Sequence, residues 1–148
     1  MKLRPYQNDA VEAIRAGWGE ARRQLVVMPT GTGKTQVFVR IAEAERPQGP
    51  SLVLAHREEL IEQARARFEQ WTQLKVAIEM GGQRADDLIG STADVVIASV
   101  QTMVRRLHRY RKDAFSLVIV DEAHHTPANT YQAIVDHFDA RILGVTAT

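Results

Sequence analysis

The sequence predicts an α/β fold, a mainly parallel sheet with helices on both faces, and three observations carry that prediction. Six short apolar runs, strand-like in length and in Val and Ile content, fall at 25–28, 52–55, 76–80, 95–99, 117–120 and 142–145. Other segments place apolar residues three or four apart, which is the period of a helix with one buried face. The two patterns alternate along the chain, and strand followed by helix followed by strand implies right-handed crossovers between parallel strands.

Taken in order, Val11, Ile14 and Trp18 mark a first helix, with Pro5 suited to its first turn. The run at 25–28 follows; like the others it is nearly continuous, as expected of a strand covered on both faces. Val37, Ile41 and Ala44 give a second helix, and Pro47 to Pro50 a short loop. After the strand at 52–55 come Ile61, Ala64, Phe68 and Trp71, a third helical face. Gly81-Gly82, beyond the strand at 76–80, reads as a turn or a point of close backbone approach. Beyond the strand at 95–99, Val104 and Leu107 would oppose Arg105, Arg109 and Lys112 on a helix. The strand at 117–120 leads to a helix bearing Tyr131, Ile134, Val135 and Phe138, and the strand at 142–145 closes the pattern. Ligands of such sheets sit at the carboxyl ends of the strands. Functional loops are therefore expected just after Met28, Ala55, Ser99, Val120 and Val145.

Composition narrows the function classes. A length of 148 residues with 45% hydrophobic content suits one domain with a real core. The 19 basic and 18 acidic residues leave a net charge of +1, so any surface for a polyanion must be local. The chain has no cysteine, which excludes disulfides, thiolate metal sites and a cysteine nucleophile. The N-terminus is too often interrupted by charge for a signal-peptide core, and no apolar run is long enough to span a bilayer. A soluble, monomeric, cytoplasmic protein is expected.

Directly after the first strand comes Pro29-Thr30-Gly31-Thr32-Gly33-Lys34-Thr35, then a helix. Wrapping a phosphate closely requires positive φ and inward-facing N–H groups at a helix N-terminus, and Gly31 and Gly33 supply that freedom. Lys34 can reach β- and γ-phosphate oxygens, and the Thr35 hydroxyl is placed to ligate Mg²⁺. The general pattern GxxxxGK[ST] is not fully met, because Met28 stands at its first position.

A second constellation lies at the end of the strand at 117–120, where Asp121 and Glu122 emerge at the same edge of the sheet. Asp121 suits Mg²⁺ binding, and Glu122 suits orienting and deprotonating an attacking water. His124 and His125 follow at once. Two neighbouring histidines with so few partners do not suggest zinc; His124 reads as a hydrogen-bonding relay to neighbouring motifs, and His125 carries no assigned role.

Together these segments resemble the first RecA-like lobe of superfamily 2 DEAD/DEAH-type helicases, closest to the branch of RadD-like helicases and type III restriction translocases. Leu3-Arg4-Pro5-Tyr6-Gln7 is similar to the family's adenine-reading segment, and Pro29 to Thr35 to motif I, in which the first glycine is commonly replaced. Leu52 to Leu60 resembles motif Ia, Ser99-Val100-Gln101-Thr102 a strand-binding loop, Asp121-Glu122-Ala123-His124 motif II in its DEAH form, and Thr146-Ala147-Thr148 motif III. The resemblance implies a RecA-like P-loop NTPase three-layer sandwich spanning 1–148, with ATP and Mg²⁺ as cofactors. It implies that Gln7 bonds the adenine edge while Arg4 and Tyr6 hold the ring, that Thr30 to Thr35 cradle the phosphates, and that Thr146 and Thr148 couple hydrolysis to motion.

Nucleic acid, DNA rather than RNA, is the implied partner. His56 and Arg57, at a strand end and a helix start, could hold a backbone phosphate, although Glu58 and Glu59 cancel their charge. The other candidate follows Gln101 and Thr102: Arg105, Arg106, Arg109, Arg111 and Lys112, interleaved with His108 and Tyr110, form the strongest basic cluster. The implied activity is ATP-driven movement along a strand, completed by an arginine finger from a second lobe outside these residues, so the 148 residues alone should bind nucleotide and hydrolyse it poorly. Three rivals remain at this stage: a P-loop NTPase that does not act on nucleic acid, the translocase subunit of a restriction-type enzyme, and a non-enzymatic scaffold that kept the fold, against which the intact Lys34, Thr35, Asp121 and Glu122 speak.

Overall fold

A computed structural model describes residues 1–29, 31–80 and 93–147. Six strands form one sheet: β1 (Arg23–Val27), β2 (Ser51–Ala55), β3 (Val76–Glu79), β4 (Val95–Ser99), β5 (Leu117–Asp121) and β6 (Arg141–Thr146). Their spatial order is β1-β6-β5-β2-β4-β3, and every neighbouring pair is parallel. All six carboxyl ends therefore lie along one edge, so loops far apart in sequence can meet there.

Helices cover the two faces in separate sets. On one face, α1 (Pro5–Gly17), α2 (Lys34–Glu45) and α3 (Glu58–Trp71) contribute Ile14, Phe38, Ile41, Ile61 and Phe68 to a core with Val53, Ile97, Ile119 and Leu143. On the other face, α4 (Val100–Arg106) and α5 (Ala128–His137) bring Met103, Ile134 and Val135 against Leu52, Leu54, Val96, Val118 and Ile142. Successive strand residues alternate between the two cores because side chains on a strand alternate faces. Strands β2, β4 and β5 are buried at every position, which is why they read as unbroken apolar runs.

Strand β1 departs from that expectation. Among the described residues it pairs only with β6, and its burial alternates: Leu25 is 64% and Val27 56% exposed. Among the described residues, one face of this edge strand has no covering helix, so its apolar run does not mean double coverage.

The segment after β4 also departs from the sequence reading. Helix α4 ends at Arg106, a 3₁₀ turn spans Leu107–Arg109, and Tyr110 is extended. Arg105, Arg109 and Lys112 therefore do not share one helical face. Tyr110 is drawn inward instead, with its ring 5.7 Å from Phe115 and 6.4 Å from Phe138. Gly81-Gly82 lies outside the described residues.

Candidate functional site

The turn after β1 is shaped by two left-handed residues, Gly31 at φ 87° and Gly33 at φ 78°. Gly33 is also the N-cap of α2, and a Cβ there would run into the side chains of Gln7 and Gln36. Thr32 closes the turn: both its N–H and its hydroxyl donate to the Pro29 carbonyl, at 3.2 and 2.6 Å. Thr30, assigned to the same turn, lies outside the described residues. Met28, which stands where the general motif has glycine, is buried, and its N–H donates to the Thr146 carbonyl at 2.8 Å.

Across this turn, β5 delivers Asp121 at its last position, paired in register with Val145 of β6. Glu122 comes next with φ 52° and ψ 48°, the one left-handed residue other than glycine among the described residues. Such a backbone is strained for a side-chain-bearing residue and is held only where its surroundings fix it. Here it aims the carboxylate back toward the glycine turn. Lys34 Nζ pairs with Glu122 Oε1 and lies 3.3 Å from Asp121 Oδ1. Burial pushes the Asp121 carboxyl above its ordinary range, and the Lys34 ammonium pulls it back.

Lys34, Thr35, Asp121 and Glu122 line a cavity of about 210 Å³. Gln63, Ala64 and Arg67 of α3 line it too, with Phe38 and Leu60. Sequence reasoning passed over Gln63 and Arg67. They lie four apart on α3, beside the buried stripe of Ile61, Ala64 and Phe68, so a helical reading puts them together on one face at the border of the core.

A backbone of polar contacts ties the neighbouring motifs to this centre. Thr146 Oγ1 and His124 Nδ1 are 2.5 Å apart, so the end of β6 meets the loop after β5. His124 Nε2 lies 3.4 Å from Glu122 Oε2. Partial desolvation and the neighbouring His125 and Lys34 hold the pKa of the exposed His124 below its ordinary value. His56, expected at a nucleic-acid phosphate, is turned inward instead: its Nε2 sits 3.3 Å from both the Glu122 carbonyl and Thr126 Oγ1. Burial, with His125 beside it, lowers its pKa as well. Thr148 lies outside the described residues.

The N-terminal segment reaches the glycine turn from α1. Tyr6 donates its hydroxyl hydrogen to the Thr32 carbonyl at 2.9 Å, and Arg4 Nη1 donates to Tyr6 at 3.2 Å. Gln7, expected to bond the adenine edge, has its amide engaged within the protein. It is 1% exposed; its Oε1 accepts from Arg4 N at 2.8 Å, and its Nε2 donates to Thr32 O at 3.1 Å and to Gln36 Oε1 at 2.5 Å. The amide is bonded at both ends, and it braces the glycine turn.

The expected nucleic-acid residues are divided by the fold. Arg57, Gln101, Arg105 and Arg109 are exposed. Arg57 pairs with Glu59 at 3.2 Å, the cancellation expected from their sequence proximity. Thr102 is buried in the first turn of α4, its N–H capped by Ser99 Oγ at 3.0 Å. Arg106 is turned to the buried Glu79 and is not a surface cation. Neither Thr102 nor Arg106 is available to a strand as placed here.

Parallel strands that bring a lysine and two carboxylates to one cavity, through a turn whose φ values favour glycine, are the architecture of a P-loop nucleotide-binding lobe. The chain belongs to the ResIII family, whose model, described as type III restriction enzyme, res subunit, matches residues 1–148. A protein of Saccharomyces cerevisiae whose name, ATP-dependent helicase IRC3, is provisional is 44% identical over 151 residues, covering 93% of this chain and 21% of the relative. The DNA 3'-5' translocase XPB2 of Sulfurisphaera tokodaii is 33% identical, with 100% of this chain and 31% of the relative covered. Among solved structures, the Sulfolobus solfataricus SWI2/SNF2 ATPase core in complex with dsDNA matches all of this chain and 32% of its own, with a TM-score of 0.82 at 18% identity. That likeness establishes the RecA-like fold. The chain thus spans between a fifth and a third of the length of these proteins.

Proposed function

We propose that this chain is the ATP-binding lobe of an ATP-dependent helicase or translocase that moves on DNA. The observation that carries the proposal is the convergence of Lys34, Thr35, Asp121 and Glu122 on one cavity below the glycine turn. The names of the relatives support the motor reading, and that of XPB2 supports DNA over RNA.

The residues fit a magnesium-bound triphosphate. Gly31 and Gly33 open a backbone cradle, Lys34 offers a cation, and Thr35 with the buried Asp121 offers the hard oxygen ligands that Mg²⁺ requires. Thr35 and Asp121 would hold the metal, which when bound screens charge on the transferred phosphoryl. Lys34 now sits on the acids, so nucleotide binding requires it to turn toward the β- and γ-phosphates, which frees Glu122. Glu122 would then orient the attacking water and accept its proton. The His124–Thr146 contact gives the loop carrying Glu122 a direct link to the end of β6, and it would transmit the state of the site toward a second lobe. Arg4 and Tyr6, at the mouth of the turn, would hold the adenine ring, while Gln7 keeps the turn in shape.

An arginine finger from a second lobe contributes roughly 10³ to 10⁵ in rate in such motors. The 148 residues by themselves are therefore expected to bind nucleotide and turn it over slowly. The exposed Arg57, Gln101, Arg105 and Arg109 are the proposed strand contacts. Titrating the chain with labelled single-stranded DNA over a salt series tests this: affinity should fall as salt rises, and a combined Arg105→Ala and Arg109→Ala variant should flatten the slope by roughly two phosphate contacts. Salt-independent or absent binding would favour an NTPase that does not act on nucleic acid.

A further inference from the structure

We propose that Glu122, His124 and His125 form a binding site for a borderline divalent transition metal such as Zn²⁺, distinct from the magnesium position at Thr35 and Asp121. One ligand atom from each of the three residues lies within 4.8 Å of the others. The sequence alone offered only two adjacent histidines. The left-handed backbone at Glu122 and the 3₁₀ turn Ala123–His125 bring the carboxylate round to join them.

The geometry suits a tetrahedral ion. Ligands about 2.0 to 2.1 Å from zinc in a tetrahedron lie roughly 3.3 Å from one another. His124 Nε2 and Glu122 Oε2 are 3.4 Å apart, so one edge of that tetrahedron is already set. The remaining ligand distances, none above 4.8 Å, close on an inward movement of His125, which is exposed, with its ring centroid 4.0 Å from that of His124 and tilted 43° to it. A metal-ligating histidine normally has its second ring nitrogen held by an outer partner, and Thr146 Oγ1 already holds His124 Nδ1 at 2.5 Å. Three protein ligands leave the fourth position to water.

The donor set separates this site from the magnesium position. Imidazole nitrogen favours Zn²⁺, Ni²⁺ or Co²⁺, whereas Mg²⁺ favours oxygen ligands and retained water. Glu122 divides its oxygens between the two centres, Oε1 toward Lys34 and Oε2 toward His124. The ammonium of Lys34 therefore opposes a second cation on the same carboxylate. A metal held there would also remove Glu122 from proton transfer; that consequence rests on the proposed role of Glu122, whereas metal binding itself does not.

Zinc titration of the nucleotide-free chain against a competing chromophoric chelator tests the site without any reading of hydrolysis. The wild-type chain should take up one equivalent of Zn²⁺. His124→Ala, His125→Ala and Glu122→Gln should each weaken it by about tenfold or more, and Thr146→Val by roughly tenfold through loss of the outer partner. His108→Ala, which changes an exposed histidine elsewhere, should leave the affinity unchanged, and Lys34→Ala should tighten it. Both histidines are exposed, so circular dichroism should show their variants folded. The proposal is overturned if the wild-type chain takes up no zinc, or if the His124 and His125 variants bind it as well as the wild type. Either result would leave nucleotide binding untouched.

Discussion

Glu79 and Glu122 each meet a basic side chain at the carboxyl end of a parallel strand, yet one is sealed and the other faces a cavity. Glu79 ends β3, is wholly buried, and meets Arg106 and the Tyr110 hydroxyl, the latter at 2.5 Å. Glu122 follows β5, meets Lys34, and lines the cavity shared with Thr35 and Asp121. The chemistry of the pairs is alike, and their surroundings assign them different work. A wholly buried carboxylate held by an arginine and a phenol is engaged within the fold, and it ties α4 and the turn after it to β3. The pair at β5 sits beside a glycine turn and an open volume, so its lysine can leave for a phosphate.

That contrast can be tested by breaking each side of it. Glu79→Ala should have the largest effect, since removing one partner of a buried pair costs about 3 to 5 kcal/mol. Chemical denaturation should show that loss, while nucleotide affinity measured below the melting transition stays near wild type. If nucleotide binding fell in step with stability, the two clusters would not be separable. Gly33→Ala should come next, with a cost of about 1 to 2 kcal/mol for a left-handed residue that gains a Cβ. Here the added atom also meets Gln7 and Gln36, so nucleotide affinity should fall with stability. Thr146→Val should cost about 0.5 to 1.5 kcal/mol, the worth of one hydrogen bond.

The smallest effect concerns pH. Burial lowers the pKa of His56, and partial desolvation with His125 and Lys34 nearby lowers that of the exposed His124, below the ordinary value of 6.5. Neutral imidazole is thus favoured in the folded state, so their contribution to stability is complete above about pH 6.5 and is lost as pH falls toward the lowered values. The melting temperature should decline over that interval, and His56→Asn should shallow the decline. A profile unchanged by His56→Asn would contradict the inward placement of that ring.

The parts legible in the sequence were those whose signals are local. Strands β2, β4 and β5 lie beneath helices on both faces, and their burial wrote itself into unbroken Val, Ile and Leu runs. The glycine turn and the acid pair were equally plain, because each is a contiguous segment at a strand end. What escaped depends on distant partners. The run in β1 resembles the central strands, and only the strand order shows that it is an edge. Arg106 resembles its basic neighbours until Glu79, 27 positions earlier, is placed beside it. Gln7 likewise gives no hint of a turn 25 residues away that occupies its amide. His56 meets the loop after β5, and Arg67 lines the cavity, only because their elements pack beside it.

The most direct test of the central claim is a titration of the chain with a fluorescent ATP analogue, with and without Mg²⁺, comparing wild type with Lys34→Ala and Asp121→Asn. Wild type should bind, and more tightly with Mg²⁺; Lys34→Ala should lose roughly 10- to 100-fold in affinity, the worth of hydrogen bonds to a charged group. Asp121→Asn should erase the gain from Mg²⁺. Equal binding by all three proteins, indifferent to the metal, would contradict a triphosphate site built on this lysine and this aspartate.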